Sequence, residues 1–287
     1  MRLEDLKNQA PPEKLYHYTS QEGVIGILSK KEFWASKIHY MNDSREYALA
    51  LDLAKQDLTQ RIGKESSKKE RERIEVLREE INSIELVNIC VCSFSVDGNK
   101  LSQWRGYTSG GAGFSIGFSS EELSLIAEKY EFEFFPCVYD EDVQRALVGE
   151  LIEDLLATDF NTIPGYVDRS RPRTMRVLPM GGDFAKRLAR LAPLLKDSSF
   201  KDEEEWRLVS SYINHKKLKH RPGSSMIIPY FPFQLERDGM FSCIKEIIIG
   251  PTPHPDLSKY SISTLLGASE VSESPKVRAS KIPFRHW

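Results

Sequence analysis

Apolar and aromatic residues are concentrated in short stretches along the whole chain, and their spacing predicts many short β-strands. The stretches interpreted as strands are residues 14–19, 33–36, 87–94, 114–118, 131–139, 205–212, 225–229, 244–249 and 277–285. The run over residues 87–94 (VNICVCSF) is the strongest of these predictions. Pro136 favours an edge or bulged position for the strand over residues 131–139, because proline cannot donate to a sheet.

Apolar positions at helical spacing predict amphipathic helices between these strands. The segments are residues 21–30, 46–84, 141–157 and 183–196, and residues 101–107 are interpreted as the start of a helix or turn. Ser20 or Thr19 is a suitable N-cap for the first of them. Residues 64–80 are dense in Lys, Arg and Glu, which is typical of a solvated helix with i,i+4 ion pairs.

The order of these elements predicts the α+β class. We expect a single domain over residues 1–287, with a charged helical insertion at about 46–84 and a second helical insertion at about 141–197.

The composition argues against a strongly basic nucleic-acid-binding protein and against a membrane-spanning one. The 287 residues include 40 Lys and Arg against 42 Asp and Glu, a formal net charge of −2, which excludes a strongly basic nucleic-acid coat. A local basic loop is still present, with Arg169, Arg171, Arg173 and Arg176. No apolar run approaches the ~20 residues of a membrane-spanning helix, and the first residues are polar, so we expect a cytoplasmic protein.

Cysteine and histidine spacing gives no indication of a metal site. Cys90, Cys92, Cys137 and Cys243 form no CxxC pair, and the six histidines are scattered without an HExxH motif. Cys90 and Cys92 would share one face of a strand, as small apolar core residues in a reducing compartment. Residues 113–117 match the letters GxSxG but lie in a predicted strand, which disfavours a serine hydrolase.

Two clusters of polar residues belong to predicted strands. In Tyr16-His17-Tyr18-Thr19, alternation places His17 and Thr19 on one face, where they could bind a ribose or phosphate group. The alternative is a core histidine between aromatic rings. Ser93 and Ser95 place two hydroxyls on one side of a buried strand, and their partners are either backbone groups or a ligand.

Two further clusters combine aromatic or charged groups. Trp104, Arg105 and Tyr107 precede a glycine-rich turn, and they offer stacking surfaces and an anion-binding group, although a hairpin turn is the commoner explanation. Glu203 and Glu205 would share one face with Arg207 if the strand begins early. Two carboxylates in one pocket suit stabilisation of a cation or general-base catalysis, and the alternative is a solvated acidic loop.

Together these motifs resemble a family of largely uncharacterised bacterial proteins, over about residues 14–285. The matching motifs are YHYT at 16–19, GIL at 26–28, WAS at 34–36, Asn42-Asp43 with Glu46, SFS at 93–95, LSQWRGY at 101–107, GFSIGF at 113–118, EEEWR at 203–207 after Phe200, and SKIPFR at 280–285. That family is distantly similar to the ADP-ribosyltransferases. The resemblance implies a split, mostly antiparallel sheet with helical insertions, and NAD as substrate.

The resemblance also implies roles for particular residues. His17 would bind the nicotinamide-side ribose, with Tyr18 and Thr19 beside it. Glu205 would be catalytic, Glu203 would orient the acceptor, and the Ser93 and Ser95 pair would brace the glutamate.

Stacking and phosphate roles follow from the same resemblance. Trp104 or Tyr107 would stack on nicotinamide, and Arg105 would bind a phosphate oxygen. Tyr40 and Tyr107 are both candidates for the middle tyrosine of a His-Tyr-Glu triad.

Three functions are therefore in view. The first is NAD-dependent ADP-ribosyl transfer to a nucleic-acid or protein acceptor, in a toxin or phage-defence context, with the arginines at 169–176 as a contact loop for nucleic acid. The second is a non-catalytic nucleotide-binding or interaction module, with a partner protein. The third is an RNA 2′-phosphotransferase, which ranks lower because Arg105 and Arg207 are the only evident phosphate ligands.

Overall fold

The computed structural model describes residues 3–41, 44–108, 112–158 and 183–284. The strands are β1 (Lys14–Thr19), β2 (Glu32–Lys37), β3 (Cys90–Ser95), β4 (Phe114–Ser119), β5 (Phe132–Pro136), β6 (Glu205–Ser210), β7 (Lys219–Pro222), β8 (Ile227–Gln234), β9 (Ile244–Ile249) and β10 (Lys276–Ala279). The helices are α1 (Leu3–Lys7), α2 (Gln21–Lys30), α3 (Ser44–Lys64), α4 (Lys68–Glu80), α5 (Leu101–Tyr107), α6 (Ser120–Glu128), α7 (Glu141–Ala157), α8 (Asp183–Leu191) and α9 (Pro255–Ala268).

All ten strands join one mixed sheet. Eight follow in the order β10-β9-β4-β1-β3-β2-β8-β7, and β6 pairs with β3 and carries β5 on its other side. Among the described strands only β9 and β10 run parallel, and the other pairs are antiparallel. The predicted α+β class with a mostly antiparallel sheet is confirmed.

The sheet separates two apolar cores. On one side, α3, α4, α7 and α8 pack together against β3, β5 and β6. On the other side, α2, α6 and α9 cover the rest of the sheet. Strand β3 serves both cores, because Val91 faces the first while Cys90, Cys92 and Phe94 face the second. The two predicted helical insertions therefore share one core.

Most predicted elements are confirmed, with shifts of a few residues at their ends. Helix α2 begins after Ser20, whose Oγ accepts from the Gly23 amide at 3.2 Å, as the capping prediction required. Strand β5 pairs only with β6 among the described strands, which agrees with the edge prediction. Strand β3 begins three residues later than predicted, and α1, α6, α9 and β7 were not predicted.

Helix α4 is less solvated than its composition indicates. Ile74 and Leu77 are buried in the first core. Arg73 binds both carboxylate oxygens of Glu70, at 3.0 and 3.1 Å, and reaches the Thr158 carbonyl at 2.6 Å. The charged helix is therefore attached to the end of α7 by a specific contact.

Several predictions lie outside the described residues. They concern Asn42 and Asp43, the side chain of Glu46, the glycines at 110 and 111, the arginines at 169, 171, 173 and 176, and Arg285. The four cysteines are buried and unbridged. Within the described ranges, the helices are too short or too polar to cross a membrane, and the same residues contain no cluster of three potential metal ligands.

Candidate functional site

A cleft opens where the sheet splits between β1 and β2. Strand β1 pairs with β3 only at Tyr16↔Ser95, and β2 pairs with β3 only at Ser36↔Val91 and Lys37↔Cys90. Residues 92–94 therefore have no partner strand on that side, within the part of the chain that is described. The cleft has a volume of about 760 Å³, in the range of small-molecule sites.

His17 occupies the split. Its Nδ1 lies 3.0 Å from the carbonyl oxygen of Ser93, an acceptor that no strand satisfies on this side. The ring packs edge-on against Phe33 and Phe94, with centroids 5.1 and 5.9 Å away. Burial lowers the pKa of His17, so the neutral ring carries its proton on Nδ1 and a lone pair on Nε2.

Glu205 is the most buried carboxylate of the cleft, with 5% of its side chain exposed. Arg207 donates from Nε to Oε1 at 2.7 Å and from Nη2 to Oε2 at 3.0 Å, and the Lys196 ammonium also contacts Oε2. Burial by itself would raise the pKa of Glu205, but the charges of Arg207 and Lys196 outweigh it and lower the pKa to about 2.

Glu203 stands beside this ion pair but precedes the strand. It ends a 3₁₀ turn (Ser198–Glu203), and Glu204 follows in the left-handed region at φ 44°. The expectation that Glu203 shares the strand face with Glu205 is wrong for this reason. Lys196 nevertheless brings the two carboxylates together by contacting both, and Glu203 keeps 18% of its side chain exposed.

The two predicted serines lie opposite this cluster. Ser95 pairs with Glu205 and Ser93 with Arg207 in the β3–β6 register. Ser95 Oγ donates to the Glu203 carbonyl at 3.0 Å, so it braces the backbone before Glu205 rather than the carboxylate itself. Ser93 Oγ is buried without a hydrogen-bond partner in the described residues, beside the cleft.

Helix α5 contributes Gln103 and Tyr107, which are four residues apart and lie on one helix face. Gln103 is 5% exposed. Burial, followed by the charges of Glu205 and Glu203, raises the pKa of Tyr107 to about 12. A neutral phenol and a largely buried amide therefore line the cleft.

Tyr18, Thr19 and Tyr40 also line the cleft. The Tyr18 hydroxyl is already engaged, since it donates to the Asp97 carbonyl at 2.8 Å and accepts from the Lys100 amide at 2.9 Å. Tyr40 and Tyr107, the two candidates for a middle tyrosine, both reach the same cleft, so the choice between them stays open.

The structure does not bring Trp104 and Arg105 to the cleft. Trp104 is 1% exposed, packs against Tyr18 at 4.8 Å and donates to Asn99 Oδ1 at 3.1 Å. The Arg105 guanidinium lies over the Phe284 ring at 5.3 Å. Stacking on nicotinamide by Trp104 and phosphate binding by Arg105 are therefore replaced by packing roles, because α5 turns these two side chains away.

Sequence reasoning missed Lys196 and Arg221 as cleft residues. Lys196 follows an apolar helix and resembles a solvated helix end, and Arg221 follows a Lys-rich segment typical of a solvated loop. Trp34 and Ser36 were noticed only as part of a motif. Since each reaches the cleft through contacts with distant segments, no local pattern identifies them.

Comparison with known proteins adds a family of unknown activity. Residues 103–208, a little over a third of the chain, match the model of a family described as "Protein of unknown function (DUF2971)". The match covers most of α5 and β6 and includes Glu203 and Glu205, but it ends before β7 and excludes His17. Neither the curated proteins nor the solved structures contain a match.

Proposed function

We propose that the cleft catalyses NAD⁺-dependent ADP-ribosyl transfer to a nucleophilic acceptor. The observation that carries the proposal is the meeting of neutral His17 and ionised Glu205 in one cleft at a split in the sheet. The two residues are far apart in the chain and belong to β1 and β6. Their juxtaposition supports the roles that the resemblance implies for them.

The carboxylates suit the charge that develops in this reaction. The bond between ribose C1′ and the nicotinamide nitrogen breaks, its electron pair leaves with nicotinamide, and the ribose becomes oxocarbenium-like. Three hydrogen bonds occupy Glu205, and only one of them reaches Oε1. A carboxylate accepts about four hydrogen bonds, so Oε1 can accept another from the ribose 2′-hydroxyl. This contact would stabilise the cation.

Neighbouring groups supply binding and the acceptor step. His17 Nε2 can accept from a ribose hydroxyl, and the partly exposed Tyr107 ring offers a stacking face for nicotinamide. Glu203 is nearer the solvent than Glu205. In this scheme Glu203 orients the acceptor and takes its proton as the acceptor atom bonds to C1′.

The test is nicotinamide release from NAD⁺ by the full chain, with and without protein and nucleic-acid acceptors. Glu203→Gln and Tyr107→Leu are expected to reduce release at least tenfold, and Glu205→Gln is expected to abolish it. Glu204→Gln is the matched control, because Glu204 is exposed, pairs with Lys100 and does not line the cleft. Equal release by wild type and Glu205→Gln would overturn the assignment.

Thermal unfolding must accompany these assays, because Glu205→Gln alters a buried ion pair. The carboxylate is the shared partner of two buried cations, so Glu205→Gln is expected to lower the stability of the protein. The less buried Glu203 and Tyr107 keep the proposal testable if Glu205→Gln fails to fold.

A second function is favoured by the same ion pair. Arg207 and Lys196 compensate the charge of Glu205, and a compensated carboxylate stabilises a developing cation less strongly. This favours a nucleotide-binding module without turnover. Calorimetric binding of NAD⁺ with no nicotinamide release under any acceptor condition would support the module and reject the transferase.

A further inference from the structure

A second group of polar side chains lines the cleft on the far side of the split. Trp34 and Ser36 alternate along β2, and the β2–β8–β7 register places Arg221 on the same face. Phe33 and Ala35 point to the opposite face and are buried in the core. The face that carries Trp34, Ser36 and Arg221 is therefore the wall of the cleft.

Arg221 is a cation that has no carboxylate partner among the described residues. Its Nη2 donates to Ser36 Oγ at 3.3 Å, its guanidinium lies 5.8 Å from the Trp34 ring centroid, and its Nε is buried without a partner in the described residues. Arg207, which also lines the cleft, differs because it is paired with Glu205. A buried guanidinium donor without an acceptor in the described residues is available to an anionic ligand.

Two cations lie near the Trp34 ring. The Lys30 ammonium lies 4.8 Å from the Trp34 ring centroid, and Arg221 also lies over the ring. Trp34 is 39% exposed, and Tyr230 supports it at a centroid distance of 4.9 Å. Two positive charges against one aromatic ring raise the local positive potential, which favours a polyvalent anion.

Glu32 is a carboxylate on this wall that is occupied by other donors. Glu32 Oε1 accepts from Trp34 Nε1 at 2.9 Å, and Oε2 accepts from Gln234 Nε2 at 2.7 Å. It makes no ion pair with Arg221 in the described residues. Ser36 is buried and accepts from Arg221, so its own hydroxyl proton is available to a ligand.

We propose that Arg221 and Ser36 form a phosphate subsite of the cleft, with Trp34 as its aromatic support. The ligand is a phosphate group carried by a nucleotide. It is either the pyrophosphate of a free nucleotide substrate or a backbone phosphate of a nucleic-acid acceptor. The subsite deepens the proposed function and rests on it for the identity of the substrate, but it requires binding only.

The test is calorimetric titration of the full chain with ADP, adenosine and a short single-stranded oligonucleotide. Wild type should bind ADP about 10- to 100-fold more tightly than adenosine, the ratio expected for a charge-assisted phosphate contact. Arg221→Gln should remove most of that preference, and Arg221→Lys should keep part of it. Binding should weaken as salt is raised.

Arg237→Gln is the matched control, because Arg237 pairs with its neighbour Asp238 and does not line the cleft. Thermal midpoints of all variants must match wild type. An Arg221-dependent loss seen with the oligonucleotide but not with ADP would assign the subsite to the acceptor. Affinities within twofold of wild type in Arg221→Gln, or no binding of either ligand by wild type, would overturn the proposal.

The test of the phosphate subsite can fail or succeed independently of the test of the transferase. Glu203→Gln should bind ADP as wild type does, even though it should release less nicotinamide. Nicotinamide release by Arg221→Gln, with unchanged affinity for both ADP and the oligonucleotide, would reject the subsite and leave the transferase. Phosphate-dependent binding without nicotinamide release would support the subsite and favour the binding module.

Discussion

Glu205 and Arg207 lie two residues apart on one face of β6 and form a buried two-point ion pair, with Nε–Oε1 at 2.7 Å and Nη2–Oε2 at 3.0 Å. Lys196 adds a second cation to the same carboxylate. Arg207 also donates from Nη1 to the Pro193 carbonyl at 2.6 Å. The pair therefore connects the cleft to the helical layer, and its removal should be measurable in stability as well as in activity.

Replacement of Arg207 should strongly destabilise the protein. Arg207→Met leaves Glu205 buried with Lys196 as its remaining cation, and breaking a buried pair costs about 3–5 kcal/mol. Urea unfolding monitored by circular dichroism measures this cost. Arg237→Met, at an exposed pair, should change the free energy of unfolding by less than about 0.5 kcal/mol. Similar values for the two variants would contradict the structural role.

Acid should destabilise the protein through Glu205. Its folded-state pKa of about 2 lies below the usual 4.5, so the unfolded chain binds the proton more readily. The stabilisation is complete above about pH 5 and is lost as the pH falls toward 2, with a total of about 3 kcal/mol. Unfolding free energies of wild type and Glu205→Gln over this range should converge. Parallel pH curves would show that Glu205 does not supply the dependence.

His39→Phe should stabilise the protein. Both ring nitrogens of His39 are buried without hydrogen-bond partners in the described residues, and its ring lies 4.0 Å from that of Tyr47. Removal of unsatisfied polar atoms from this position should add about 1–3 kcal/mol. The gain should be measured by urea unfolding at neutral pH, with His215→Phe as an exposed control.

The gain from His39→Phe should also grow in acid. Burial, with a smaller contribution from Lys37, lowers the pKa of His39 to about 4. Below about pH 6.5, His39 is protonated in the unfolded chain but stays neutral in the folded chain. The wild type therefore loses stability as the pH falls from about 6.5 to about 4. A gap between variant and wild type that stays constant over this range would be the contrary result.

Two glycines of α2 should respond oppositely to alanine. A Cβ at Gly23 would lie 1.8 Å from Thr19 Oγ1, whereas a Cβ at Gly26 would meet no atom within 4 Å. Gly23→Ala should cost about 1–3 kcal/mol and disturb Thr19 in the cleft. Gly26→Ala should be neutral or stabilising by up to ~1 kcal/mol. Thermal unfolding of the two variants measures whether the close packing of Thr19 on Gly23 contributes to stability. Equal midpoints for the two variants would show that it does not.

Local patterns predicted the polar ends of the strands well. Alternation along β1 placed His17 and Tyr18 on opposite faces, and in the structure His17 packs on Phe33 while Tyr18 packs on Trp104. The same rule placed Ser93 and Ser95 together. The reason is that the two-residue period of a strand depends on backbone geometry alone.

Local patterns failed where a distant segment decides the environment. Trp104 and Tyr107 share one motif, but the helical turn of α5 directs Trp104 into the core and Tyr107 to the cleft. The sequence of strand β7 is polar and has no apolar alternation, so no local pattern predicts it. It is extended because it pairs with β8. The local sequence pattern does not predict such contacts between distant segments.

The sequence by itself determined the α+β class, most helices and strands, and the face on which each strand carries its polar residues. These properties depend on interactions between neighbours along the chain. Only the tertiary structure decided that β1 and β2 part over β3, that Lys196 joins Glu203 and Glu205, and that Arg221 reaches the cleft. Each of these depends on which distant segments pack together, because burial and pairing across the sheet, rather than local spacing, set those contacts.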